Sequence, residues 1–250
     1  MAYEQLTTPK GQFKYCYVNT PDFKGAERFG GEPEFKVTQV IDEDDKAWPA
    51  LKAKLDKLLA VAVAAGAEAM QDVNPKTLAS YKKRGITEPE VNEPYAEELD
   101  EAGNPTGRIE LRFKTKAEYK DRATGEMRKR TIPFRDGRGQ VIPTKKRPLV
   151  YGGTTGRVAF ATSNVFIPKD AAVYLGLYLN EIQITALSSG GGADPFGADA
   201  DSDFNADDLE EYEGNVNDDD GAGGGDDGFG GGDDQDTGGS DSVDDDEIPF

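Results

Sequence analysis

Histidine is absent from the 250 residues, and Cys16 is the only cysteine. Ser-His and Cys-His nucleophile systems are therefore excluded within one chain, as is a zinc site built from those ligands. No disulfide can form within the chain, which suits a reducing compartment. Long apolar runs are missing too. The first ten residues are polar, and the longest apolar stretch, residues 58–65, is far short of a membrane span. The expectation is a soluble protein with no membrane partner, no metal site and no cofactor. Positive charge is missing from one whole region. Residues 190–250 hold 22 acidic side chains and no Lys or Arg, which accounts for most of the net charge of −19.

The rest of the chain has the opposite balance. Residues 1–107 carry −6, but residues 108–189 carry +9. Such asymmetry points to a nucleic-acid-binding body with an acidic tail. The tail holds 15 of the 30 glycines and few aliphatic residues. It cannot bury enough apolar surface to offset the entropy of ordering, so it is expected to be disordered. The domain boundary falls at Ser188-Ser189-Gly190, with residues 1–189 forming one domain and 190–250 the tail.

The body reads as mainly β. Residues 12–18 alternate with Phe13, Tyr15 and Tyr17 on one face, and residues 35–41 do likewise with Phe35, Val37, Gln39 and Ile41. Residues 49–69 predict a helix, because Leu51, Leu55, Leu58, Leu59, Ala62 and Val63 fall on one stripe. Asn74-Pro75 opens a second helix and Gly85 closes it. Residues 88–104 read as an acidic loop. Strands resume over 108–119, with 127–135 returning as the partner, and then over 156–167 and 173–187. Short strands, one helical insertion and no βαβ rhythm predict an OB-like antiparallel Greek-key barrel.

Sixteen basic residues and five acidic ones lie between Arg108 and Lys169. Arg112, Lys114 and Lys116 occupy the exposed face of one strand. Arg128, Lys129 and Arg130 follow on its partner with Phe134 and Arg135, and Lys145, Lys146, Arg147, Tyr151 and Arg157 come after them. Cations that meet the sugar–phosphate backbone, interleaved with aromatic planes that stack bases, are what a single strand needs. These thirteen residues are the candidate DNA contacts. Tyr174 and Tyr178 are further aromatics not clearly assigned to the core.

The chain ends Asp244, Asp245, Asp246, Glu247, Ile248, Pro249, Phe250. An apolar tip behind an acidic run is a compact recognition element: Phe250 can fill a pocket while its carboxylate pairs with a basic rim, and Pro249 keeps the preceding residue extended. This ending resembles the acidic tip of bacterial single-stranded DNA-binding proteins, which finish Asp-Asp-Asp-Ile-Pro-Phe; here Glu247 is inserted. The body is more similar to single-stranded DNA-binding proteins of tailed phages, through residues 147–153, the strand to Asn164, and residues 176–183. That resemblance implies an OB-fold, sequence-independent binding and protection of single-stranded DNA in phage replication, recombination and repair, and no catalysis. It also implies a tail that recruits replication proteins, action in the cytoplasm of the infected host cell, and leaves a homo-oligomer open.

Two other readings follow from the residues. Pro21-Asp22 with Glu34-Phe35-Lys36 has the form of a metal-dependent nuclease signature, a short pattern that recurs by chance in a chain this rich in Asp, Glu and Lys. An acidic DNA mimic or protein-interaction module is the third.

Overall fold

The computed structural model describes residues 5–188. The tail and its candidate partner contacts Asp244, Asp245, Asp246, Glu247, Ile248, Pro249 and Phe250 lie outside the described residues. In chain order the elements are β1 (Leu6–Thr7), β2 (Gly11–Tyr17), α1 (Phe23–Phe29), β3 (Glu34–Asp42), α2 (Trp48–Gln71), α3 (Pro75–Arg84), β4 (Glu90–Asn92), β5 (Tyr95–Leu99), β6 (Pro105–Lys116), β7 (Glu118–Lys120), β8 (Met127–Lys129), β9 (Phe134–Arg135), β10 (Thr155–Ile167) and β11 (Ala172–Ala186).

Five of these strands close on themselves in the order β2-β3-β6-β11-β10, with β10 returning to β2. Four seams are antiparallel. The fifth, β6 against β11, is parallel, with Tyr178 opposite Lys114, so the sheet as a whole is mixed. The interior is filled by the inward residues of each strand: Phe13, Val37, Leu111, Phe113, Val158, Phe160 and Leu179 are buried. The Phe113 and Phe160 rings pack with centroids 5.0 Å apart. Each such side chain contributes about 1.5–3 kcal/mol through burial.

The helix α2 covers one side of the barrel. Pro49 sits in its first turn, where a missing N–H costs nothing, and Trp48, Leu51, Leu55, Ala62, Gly66 and Met70 are its buried residues. Gly66 lets it lie against β11, since a Cβ there would stand 2.1 Å from Val173 Cγ2. Asn74 caps α3 by accepting from the Thr77 N–H at 2.9 Å, and Gly85 ends it at φ +70°. The buried Tyr81 fastens α3 to the β10–β11 loop by donating to the Pro168 carbonyl.

Three expectations are corrected. The acidic segment 88–104 is not a loop: β4 pairs with β11, and β5 pairs with β6. Glu98 makes this stable, because its carboxylate is buried against Lys14, Arg108 and Thr106. The return strand over 127–135 stops at Lys129. β8 pairs with β7 alone, while β9 leaves to join β11, because β6 already has β3 on one edge and β5 and β11 on the other. The one helical insertion predicted is joined by a further helix: residues 21–33, between the first two predicted strands, contain α1, capped by Asp22. Among the described residues no helix is long and apolar enough to cross a membrane.

Candidate nucleic-acid interface

The strand β2 carries one residue too many for its partner. Lys14 pairs with Thr38 and Tyr17 with Lys36, so three steps on β2 face two on β3. The extra residue forms a bulge, and Tyr15 takes φ +49° within it. Alternation would have placed Tyr15 inside with Phe13. The bulge instead turns it out, leaving it 72% exposed, with Tyr17 also exposed behind it. The Lys36 ammonium lies 5.0 Å from the Tyr17 ring centroid.

Tyr15 overlooks a cleft of about 490 Å³. Lys36 on β3 and Arg112 and Lys114 on β6 supply its cations. Tyr95 and Tyr174 add aromatic faces, and Glu93 and Glu110 are its carboxylates. The register explains the grouping: Lys36 stands opposite Lys114 and Thr38 opposite Arg112, which puts the three cations on the outer face of one antiparallel pair. Each is held by a carboxylate of the chain. Lys36 reaches Asp22 at 2.5 Å, Lys114 reaches Glu34 at 3.2 Å, and Arg112 reaches Glu110 at 3.4 Å. The Asp22 carboxyl sits below its ordinary range because Lys36 and the Gly25 N–H both hydrogen-bond to the charged form.

A second group flanks the cleft. Phe13 exchanges backbone hydrogen bonds with Gly153 and Thr154 at 2.9 and 2.7 Å. The Asn19 amide bonds the Pro148 carbonyl and the Val150 N–H, each at 2.9 Å. Residues 148–154 therefore run antiparallel beside β2, which brings the exposed Tyr151 to the strand that carries Tyr15 and Tyr17. Lys145 and Lys146 precede it on a 3₁₀ turn, Thr144–Lys146. Arg147 is half-buried with its guanidinium 5.3 Å from the Phe134 ring, and burial pushes its pKa down. Lys116 closes the row on β6, paired to Glu32 at 3.3 Å. Arg128 and Lys129 lie on the β7–β8 hairpin, Arg128 bound to Asp121 at 3.0 Å, and Arg130 stacks over Tyr119 at 5.1 Å.

Three candidates do not join this surface. Phe134 is a core residue with 0% exposure, packed under Arg147, and no base can reach its ring. Arg135 sits on β9 against β11, tied to Glu181 at 2.6 Å and to the Gly139 carbonyl, and does not line the cleft. Arg157 lines a separate cleft of about 350 Å³ with Lys54, next to the start of α2. Tyr178 is also buried. Sequence reasoning missed Tyr15, Tyr17 and Lys36, and also Phe23 and Phe29, which stand exposed at the two ends of α1. The signal for the α1 pair was present: two phenylalanines in a segment with three glycines and no aliphatic core pattern.

The structure does gather Asp22, Glu34 and Lys36, as the nuclease pattern requires. Asp22 is committed to capping α1 and to Lys36, and Glu34 to Lys114. Among the described residues no group of three or more metal-ligating side chains comes together. Cys16 is half-buried, and burial pushes its thiol up to about 11, so it is a poor nucleophile.

A closed five-stranded barrel in the order β2-β3-β6-β11-β10 is an OB-type fold, which binds oligonucleotides on the face of its second and third strands and the adjoining loops; here β3 and β6 supply that face's cations and β2 its exposed tyrosines. The family model for the single-stranded DNA-binding protein of bacteriophage T7 matches residues 11–176. The chain belongs to that family. Its fold is similar to the crystal structure of gp2.5, a single-stranded DNA-binding protein encoded by bacteriophage T7. The TM-score is 0.60 at 21% identity, over 78% of this chain and 98% of that one. The single-stranded DNA-binding protein from bacteriophage Enc34, in complex with ssDNA, matches with TM-score 0.47 at 10% identity, over 75% of this chain and 89% of that one. No curated protein sequence matches the chain.

Proposed function

We propose that this chain binds single-stranded DNA without sequence preference, along the cleft between β2, β3, β6 and β11. One observation carries the reading: the β2 bulge delivers an exposed tyrosine to the same face on which β3 and β6 present Lys36, Arg112 and Lys114. Stacking on Tyr15, Tyr151 and Tyr174 is indifferent to base identity, because every base has a π-face. The cations meet phosphates, which carry no sequence information. Lys116, Arg128, Lys129, Lys145 and Lys146 extend the positive path to either side. In this reading residues 1–189 are the DNA-binding domain and residues 190–250 a partner-binding tail. The tail recruits replication and recombination proteins through Ile248, Pro249 and Phe250, and the chain works in the cytoplasm of an infected bacterial cell.

The test is a salt titration of full-length protein against fluorescent oligothymidine, with duplex of equal length as competitor and EDTA present. The expected result is binding that prefers the single strand and weakens with salt at a log–log slope of about −0.7 per phosphate contacted. Equal competition by duplex, or no binding at low salt, contradicts it.

A further inference from the structure

The cleft is less positive than the sequence around it. Residues 108–189 carry +9, yet Lys36, Arg112 and Lys114 each already hold a carboxylate, from Asp22, Glu110 and Glu34. Two of those acids, Asp22 and Glu34, lie about eighty residues upstream of the basic stretch and reach it only through the β3–β6 pairing. A phosphate approaching Lys114 or Arg112 meets an occupied partner. It must displace the carboxylate, which then either recruits a counterion or remains close to the phosphate. Both cost affinity, and the first reduces the net release of ions on binding.

We infer that Glu34 and Glu110 act as resident competitors of the DNA backbone and set the affinity of the cleft, keeping it weak enough for a bound strand to be released. This rests on the single-stranded DNA reading above and identifies the residues that limit it. Asp22 contributes in the same way, but it also caps α1, so its removal would confuse two effects. Glu34 and Glu110 are half-buried on their strands, Glu110 lying also 3.6 Å from Lys14, and glutamine preserves their size and their β-register.

The experiment compares E34Q, E110Q and the double variant with the wild type in oligothymidine binding over a range of salt. Glu68→Gln is the control, since Glu68 is exposed on α2, away from the cleft. The double variant is expected to bind about three- to tenfold tighter at low salt, the scale of two exposed ion pairs. Its log–log salt slope is expected to steepen by up to about 0.7 for each freed cation. A merely structural role for the two carboxylates cannot produce tighter binding. Unchanged or weaker binding by the variants overturns the inference, as does equal tightening by Glu68→Gln, which would assign the effect to overall charge. Absence of binding by the wild type overturns the DNA reading and this inference together; wild-type binding with unaltered variants overturns this inference alone.

Discussion

A non-glycine residue held at positive φ costs about 1–3 kcal/mol, and Tyr15 keeps that conformation while 72% of it is exposed. Packing does not explain the strain, whereas the stacking role proposed for Tyr15 would. Tyr15→Gly should therefore melt no lower than wild type, because glycine adopts φ +49° freely. It should nonetheless bind oligothymidine more weakly, by the roughly 1–3 kcal/mol that one base stack is worth. A calorimetric melt beside a binding isotherm checks both signs. Phe134 predicts the reverse pattern. Phe134→Ala should cost about 3–5 kcal/mol of stability in a denaturant titration, with no loss of affinity beyond the unfolded fraction. Glu98 supplies the pH dependence. Burial pushes its carboxyl up, but Lys14, Thr106 and Arg108 together outweigh burial and hold it below 4.5. A group whose folded pKa is depressed stabilises the fold above its unfolded pKa, and that contribution is lost as pH falls through the folded value. Chemical stability should thus drop as pH is lowered below 4.5, and Glu98→Gln should flatten that part of the profile while lowering stability at neutral pH.

At the scale of elements, much was legible because local chemistry and tertiary need agreed. The α2 stripe from Leu51 to Val63, the Asn74 cap, the Gly85 stop and the long strands β10 and β11 all follow from period, caps and turns. The failures share a physical cause: each depended on a partner distant in sequence. The bulge at Tyr15 exists only relative to β3, and no property of residues 11–17 announces it. Glu98 looked like a loop acid until Lys14 and Arg108 were beside it. Phe134, next to Arg135 and four residues after Arg130, resembled a stacking residue, but β9 pairs with β11 and turns it inward. The barrel closure gives its own prediction. Gly156 faces Gly11 on β2 and Ile184 on β11, and a Cβ there would stand 2.1 Å from the Gln183 carbonyl oxygen and 2.8 Å from the Phe13 ring. Main chain cannot rotate away, so Gly156→Ala should destabilise by about 1–3 kcal/mol or more, read from a shifted denaturant midpoint at unchanged slope.

For the whole molecule, charge is the organising quantity. The acidic residues 190–250 accompany a body whose cleft cations are paired but exposed. An acidic chain tethered to a cationic face competes with DNA at an effective concentration that a free polyanion would not reach. Deleting residues 190–250 should tighten oligothymidine binding most at low salt, where screening is weakest; equal affinity of the two forms there would contradict a competing tail. The central claim is narrower, that the strand lies over the β2–β3–β6 face. The most direct measurement is photo-crosslinking of full-length protein to oligothymidine carrying 5-bromouracil, with the modified peptides identified by mass spectrometry. The account predicts cross-links at Tyr15, Tyr17, Tyr151 and Tyr174. Cross-links confined to α2, α3 or the Arg157 cleft would place the DNA elsewhere and contradict it.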